Sequence, residues 1–151
     1  QKGGNETLAT TFINATPELT SIDPDYVELV VNLIKERATF PSEFWGLSHY
    51  FFKAPNNFAE AALKKAWKEN SKDLMLQLIA QLEIADDSSV ETLQTAVKGW
   101  ITQNEIGFGK IMMPLRVALV GALEGVDVFD IIYLIGKAET IKRIHTLIDH
   151  Q

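Results

Sequence analysis

Cysteine is absent from the 151 residues, which excludes disulfide scaffolds, thiol nucleophiles and thiolate metal sites. Histidine is scarce and scattered, at His49, His145 and His150, a pattern too dispersed for a zinc cluster. No apolar run approaches the roughly 18 residues that a membrane helix requires, and no secretory leader is visible. Strand-like alternation of useful length and internal repeats are also missing. An initiator methionine is lacking, since the chain opens on Gln1; it is expected to be a piece of something longer, soluble and cytoplasmic. Positive charge is in short supply as well. Lys plus Arg number 14 against 20 Asp plus Glu, a net charge of −6, the wrong sign for a generic nucleic-acid binder. The deficit is uneven: residues 1–87 hold 13 acids and 8 bases, and residues 88–151 hold 7 and 6. Any nucleic-acid surface is therefore a local patch, and the second half is the place to look.

What is present is an ordinary core composition, 46% hydrophobic and 23% charged, sufficient for one domain or two small helical ones. Apolar residues recur at helical spacing almost throughout. Asp23-Pro24 is a cap followed by a first-turn proline, ahead of the stripe Tyr26, Val27, Val30, Val31 and Ile34, which ends near Arg37. Pro41-Ser42 opens a short helix with Phe44, Trp45 and Leu47, and a third run from about Ala59 carries Leu63, Ala66 and Trp67. Ser71 opens a segment that buries Leu74, Met75, Leu78, Ile79 and Leu82. Asp86 to Ser89 ends it, with Ser88 and Glu91 expected to form a capping box for the helix carrying Leu93, Val97, Trp100 and Ile101. Gly107 to Gly109 reads as a turn, and Pro114 is expected near the start of the next helix, since a mid-helix proline costs about 3 kcal/mol. Runs from Asp127 to Ile135, closed by Gly136, and from Ala138 to about Asp149 complete an all-α reading. The loop-like Lys53-Ala54-Pro55-Asn56-Asn57 divides it into two sub-domains, 1–54 and 55–151, with Asp86 to Ser89 as the second choice of boundary.

Candidate chemistry mostly dissolves on inspection. Gly107-Phe108-Gly109-Lys110 lacks the glycine spacing and the following Ser or Thr of a phosphate loop. Asp86 and Asp87 sit before a helix start, where the dipole and solvation account for them. No acid/base pair, nucleophile relay or metal set remains, so catalytic and metal residues are expected to be none. The aromatics Trp45, Tyr50, Phe51 and Phe52 fit a core better than a base-stacking platform. Arginine occurs only at Arg37, Arg116 and Arg143. Arg37 falls at a helix C-terminal end, where a cation suits the dipole. Arg116 is expected in the first turn after Pro114, where its charge gains nothing from the dipole and implies an anion or an acidic partner. The residues alone thus describe an all-α binding module with a candidate anion site.

The segment Lys110-Ile111-Met112-Met113-Pro114-Leu115-Arg116-Val117-Ala118-Leu119-Val120-Gly121 resembles the K-x-x-x-P-L-R-x-A-L-T-G signature of bacterial-type glutamyl-tRNA synthetases. Asp127-Val128-Phe129-Asp130-Ile131-Ile132, Leu134-Ile135-Gly136-Lys137 and Lys142-Arg143-Ile144 are similar to that family's F-E-I-I … L-G-K-E … R-I ending. Lys35-Glu36-Arg37, Glu43-Phe44 and Tyr50-Phe51-Phe52 resemble its K-x-R … E-x … Y-F-F stretch. The resemblance covers roughly residues 20 to 151; its specific part is Lys110 to Ile144.

The resemblance implies the all-helical, C-terminal anticodon-binding region, a helix bundle followed by a helix-cage domain, without the HIGH- and KMSKS-type signatures of the catalytic part. It implies a tRNA-Glu partner and, in the parent ligase, ATP and Mg2+; the chain itself would hold no cofactor and act as a monomer attached to its own catalytic domain. Arg37 matches the arginine that reads the first anticodon base and favours glutamate over glutamine tRNAs. Arg116 matches the arginine against the later bases, and Leu123 to Phe129 match the loop over the second and third. The implied anticodon-binding set is Lys110, Arg37, Arg116, Gly125, Val126 and Phe129. The chain departs from the pattern at Gly125-Val126, where some members have Thr-Pro, and at Val120, often Thr. Two rival readings remain at this point: a helical protein-interaction module without an RNA role, and the helix-cage region of a class I lysyl enzyme.

Overall fold

The computed structural model describes residues 9–10, 12–13, 16, 19, 22–35, 44–55, 57–123 and 125–150. Among these there is no strand; besides the helical residues 9–10 and 12–13, eight helices have described bounds: α1 (Pro24–Ile34), α2 (Phe44–Phe52), α3 (Glu60–Ala66), α4 (Ser71–Ile84), α5 (Val90–Gln103), α6 (Phe108–Val120), α7 (Val128–Ile135) and α8 (Lys137–His150). The chain divides into two compact units, Gln1–Lys53 and Ala54–Gln151. No described helix is long and apolar enough to cross a membrane.

The first unit is held together by rings. Asp23 caps α1 by accepting from the Asp25 N–H at 3.0 Å, and Pro24 supplies the fixed φ of the first turn. Val27, Val30, Val31 and Ile34 bury one face of α1, which packs on α2. The Tyr26 hydroxyl donates to the Phe51 carbonyl at 2.9 Å. Phe52 meets Tyr26 edge-on at 5.8 Å and stacks with Trp45 at 6.1 Å. Tyr50 and Phe51 are buried. These aromatics therefore do core work, as their helical spacing implied.

The second unit is built around α6, which packs against every other helix of that unit. Ile111, Leu115, Ala118 and Leu119 of α6 are fully enclosed, as are Met75, Leu78 and Leu82 of α4, Leu93 of α5, Ile131 of α7 and Ile144 of α8. Two polar ties close the ends. Lys137 Nζ donates to the Ala85 carbonyl at 3.0 Å and the Glu83 carbonyl at 3.2 Å, so a cation at the start of α8 satisfies acceptors at the C-terminal end of α4. The Ala59 N–H donates to the Gly121 carbonyl at 2.9 Å, joining the start of α3 to the end of α6.

Two local expectations are corrected. The capping box of α5 is Ser89 with Thr92, not Ser88 with Glu91: Ser89 Oγ accepts from the Thr92 N–H at 3.1 Å, and Thr92 Oγ1 accepts from the Ser89 N–H at 3.2 Å. Ser88 is engaged one residue earlier, its N–H donating to Asp86 Oδ1 at 2.9 Å. That bond holds the Asp86 carboxyl below its usual range, helped by the Ser88 hydroxyl. The second correction concerns Pro114, which lies inside α6 and not at its start. Gly107 is the N-cap and Phe108 to Lys110 form the first turn, so the expected turn is itself the helix start. The carbonyl that Pro114 leaves without a helical donor belongs to Lys110, in that exposed first turn. Burial of Ile111, Pro114, Leu115 and the residues after them offsets the loss.

Candidate anticodon-binding site

The change of register at Pro114 moves Arg116. It is the ninth residue of α6 and not part of its first turn, so the uncapped N–H groups expected beside it are absent. Its position is fixed from elsewhere. Arg116 Nη1 donates to the Val126 carbonyl at 2.8 Å, tying the guanidinium to the segment between α6 and α7. That segment leaves α6 through Gly121, at φ +89°, the left-handed cap at which a side chain is strained. A Cβ there would stand 2.9 Å from the Asn57 carbonyl oxygen. Gly125 follows at φ +117°, again a glycine conformation. Asp127 then caps α7, its Oδ1 accepting from the Phe129 N–H at 2.8 Å. Two glycines and one cap thus bring the loop backbone against the Arg116 fork.

The sequence-derived residues separate into three groups. Arg116 and Gly125 are half-buried and, through the Val126 carbonyl, sit at one place. The side chains of Val126 and Phe129 are 5% and 2% exposed; they pack inward and shape the loop from beneath. Lys110 is exposed but stands about 9 Å along α6 from Arg116 and about 120° around it, so the two cations do not converge. Arg37 lies outside the described residues.

Other residues of the resembling segments prove to be structural. Arg143, 3% exposed, donates from Nε to Glu139 Oε2 at 2.8 Å and from Nη1 to the Leu119 carbonyl at 2.9 Å. A planar fork with two partners at right separation holds α8 against the end of α6. Sequence reasoning gave this residue no task. The Glu139–Arg143 spacing of four was the available signal, but it reads equally as a surface pair.

The electrostatics of the loop are mixed. Asp130, on the first turn of α7, has its carboxyl raised above the usual range by burial first, then by the charges of Asp127 and Glu91. The segment that Arg116 contacts is therefore acidic, with Asp127 next to Val126 and Asp130 in the first turn of α7. Such a site disfavours a polyanion docked along its phosphates. It suits a base edge or ring presented to the guanidinium and the loop backbone, the way single-stranded RNA loops are read.

Comparison with known proteins defines the class. Residues 7–148 match the family model described as an anticodon binding domain, and the chain belongs to that family. Over 151 residues it is 48% identical to a glutamate–tRNA ligase of Christiangramia forsetii, covering 99% of this chain and 30% of the relative. It is 51% identical over 119 residues to the glutamate–tRNA ligase of Flavobacterium johnsoniae, covering 79% and 24%. A crystal structure of a glutamate tRNA ligase from Elizabethkingia meningosepticum, in complex with its amino acid, superimposes with a TM-score of 0.88 at 36% identity, over 96% of this chain and 29% of that one. The chain thus spans less than a third of the length of these relatives, and it is similar to the anticodon-binding part of glutamate–tRNA ligases.

Proposed function

We propose that the domain reads the anticodon loop of a glutamate-accepting tRNA and does so for a glutamate–tRNA ligase. The observation that carries this reading is the joint placement of Arg116 and the Gly125-Val126 backbone by the 2.8 Å hydrogen bond, in a chain of the anticodon-binding family. Arg116 offers donors to a base edge, and Gly125, without a side chain, lets a base approach the loop closely. Lys110 contributes charge on the same helix. Val126 and Phe129 act from inside, by setting the loop's shape. Arg37 reads the first base, on the strength of the sequence resemblance alone. The helix bundle of residues 1–54 and the helix cage of residues 55–151 share this task in a monomeric, cytoplasmic enzyme.

ATP and Mg2+ serve the catalytic portion of such an enzyme. Among the described residues no three His, Asp or Glu side chains gather as a metal site. Charge balance fits a small, base-directed contact: with a net of −6, the chain should hold RNA weakly, with a salt dependence set by the few phosphates it contacts. The test is a fluorescence-anisotropy titration of the 151-residue chain with the anticodon stem-loop of a glutamate tRNA at low salt. Binding that weakens when the triplet is changed is the expected result. Binding indifferent to the triplet would refute the reading.

A further inference from the structure

Apart from Lys110 in its first turn, α6 meets solvent only through Phe108, Gly109, Met112, Met113 and Arg116. Phe108, Met112 and Arg116 are four residues apart, each turned about 40° from the last, so they form one ridge down the open side of an otherwise enclosed helix. The ridge ends at the Arg116 loop in one direction. In the other it ends in a groove of about 610 Å³ between α5 and α6, whose walls include Lys98, Thr102, Glu105 and Phe108. Phe108 is 49% exposed there, and Lys98 Nζ stands over its ring at 5.7 Å.

We propose that this ridge is a track for stacked nucleobases, on which a loop nucleotide beside the anticodon lies against Phe108 with its phosphate on Lys98. The proposal rests on the RNA role argued above and extends it to residues outside the resembling motif. Three observations favour RNA as the occupant. An aromatic ring, a thioether and a guanidinium in line all present flat or polarisable surface to a base. A cation placed over an exposed ring pairs stacking with phosphate charge. Phe108, Met112 and Arg116 themselves carry no carboxylate; acids stand at the two ends of the ridge, Glu105 on the groove wall and Asp127 at the loop. From Phe108 to Arg116 is about 12 Å, three to four stacked steps of about 3.4 Å, so one loop can span both.

The test compares Phe108→Ala and Phe108→Tyr in titrations with the glutamate anticodon stem-loop and with loops made abasic at one position at a time. Thermal melts confirm that each variant folds, as a half-exposed side chain allows. F108A should weaken binding about tenfold and F108Y should restore it. One abasic position should cost about tenfold in the parent chain and almost nothing in F108A. Lys98→Ala should lower the salt slope of log K by about 0.7. F108A binding as tightly as the parent, or losing affinity additively with every abasic loop, overturns the proposal; triplet dependence persisting in that case leaves the Arg116 reading standing. Loss of self-association in sedimentation, with RNA binding untouched, would make the ridge a protein surface and overturn it too. Failure of the parent chain to bind any stem-loop overturns both readings.

Discussion

The two sides of α6 follow different rules. One side, with Ile111, Leu115, Ala118 and Leu119, is sealed by the other helices of its unit; there, volume and complementarity decide what is tolerated. The other shows Phe108, Met112 and Arg116, side chains whose contact with helical neighbours is partial. The signature from Lys110 to Gly121 spans both. Read as one motif, it points to RNA as a whole. Read on the structure, Pro114, Leu115, Ala118, Leu119 and Gly121 hold the domain together, and Arg116 alone among its central residues is turned to the loop. A family motif therefore mixes residues kept for the fold with residues placed for the ligand, and burial sorts them.

Substitutions on the sealed side should change stability and leave triplet preference alone. The largest effect is expected at Leu115, fully enclosed: Leu115→Ala should cost about 3 kcal/mol in denaturant unfolding, with the ratio of affinities for matched and altered stem-loops unchanged while the chain is folded. Gly121→Ala comes next. Its φ of +89° and a Cβ 2.9 Å from the Asn57 oxygen predict a loss of about 2 kcal/mol. A variant as stable as the parent would mean that the α6 end and the Asn57 loop can move apart.

Arg116→Ala should invert the pattern. The hydrogen bond to the Val126 carbonyl goes, a contact of about 1 kcal/mol at a half-buried site, whereas RNA affinity should fall about tenfold. The smallest effect concerns the acids beside the loop. Because the Asp130 pKa is raised in the fold, the folded state holds that proton more tightly than the unfolded one. Stability then falls as pH rises from the ordinary value of 3.8 through the raised one, and it stays lower at neutral pH. Asp130→Asn should raise the Tm slightly at pH 7 and show no gain below the ordinary value. A gain that persists in strong acid would indicate a packing effect.

Much of this was legible in the sequence, and the failures have a common cause. Asp23, Ser71, Asp127 and Gly136 mark helix ends through bonds to their own neighbours, and local chemistry of that kind survives translation from sequence to structure. Pro114 misled because its cost is local whereas its compensation is tertiary: the enclosure of Leu115, Ala118 and Leu119 outweighs one missing bond. The error carried over to Arg116, placing it among backbone donors that belong to Phe108 and Gly109. Arg143 stayed hidden for the same reason. Its decisive partner, the Leu119 carbonyl, lies 24 residues away, and no periodicity announces it.

Base reading by Arg116 is tested most sharply by the triplet selectivity of Arg116→Ala in anisotropy titrations, taken as the ratio of affinities for the glutamate stem-loop and for loops altered at each anticodon base. The variant should fold, with a ratio that collapses toward one at the base read by Arg116 and keeps its parent value at the others. A variant that binds more weakly with every ratio intact would contradict base reading, because Arg116 would then be attracting RNA without reading it.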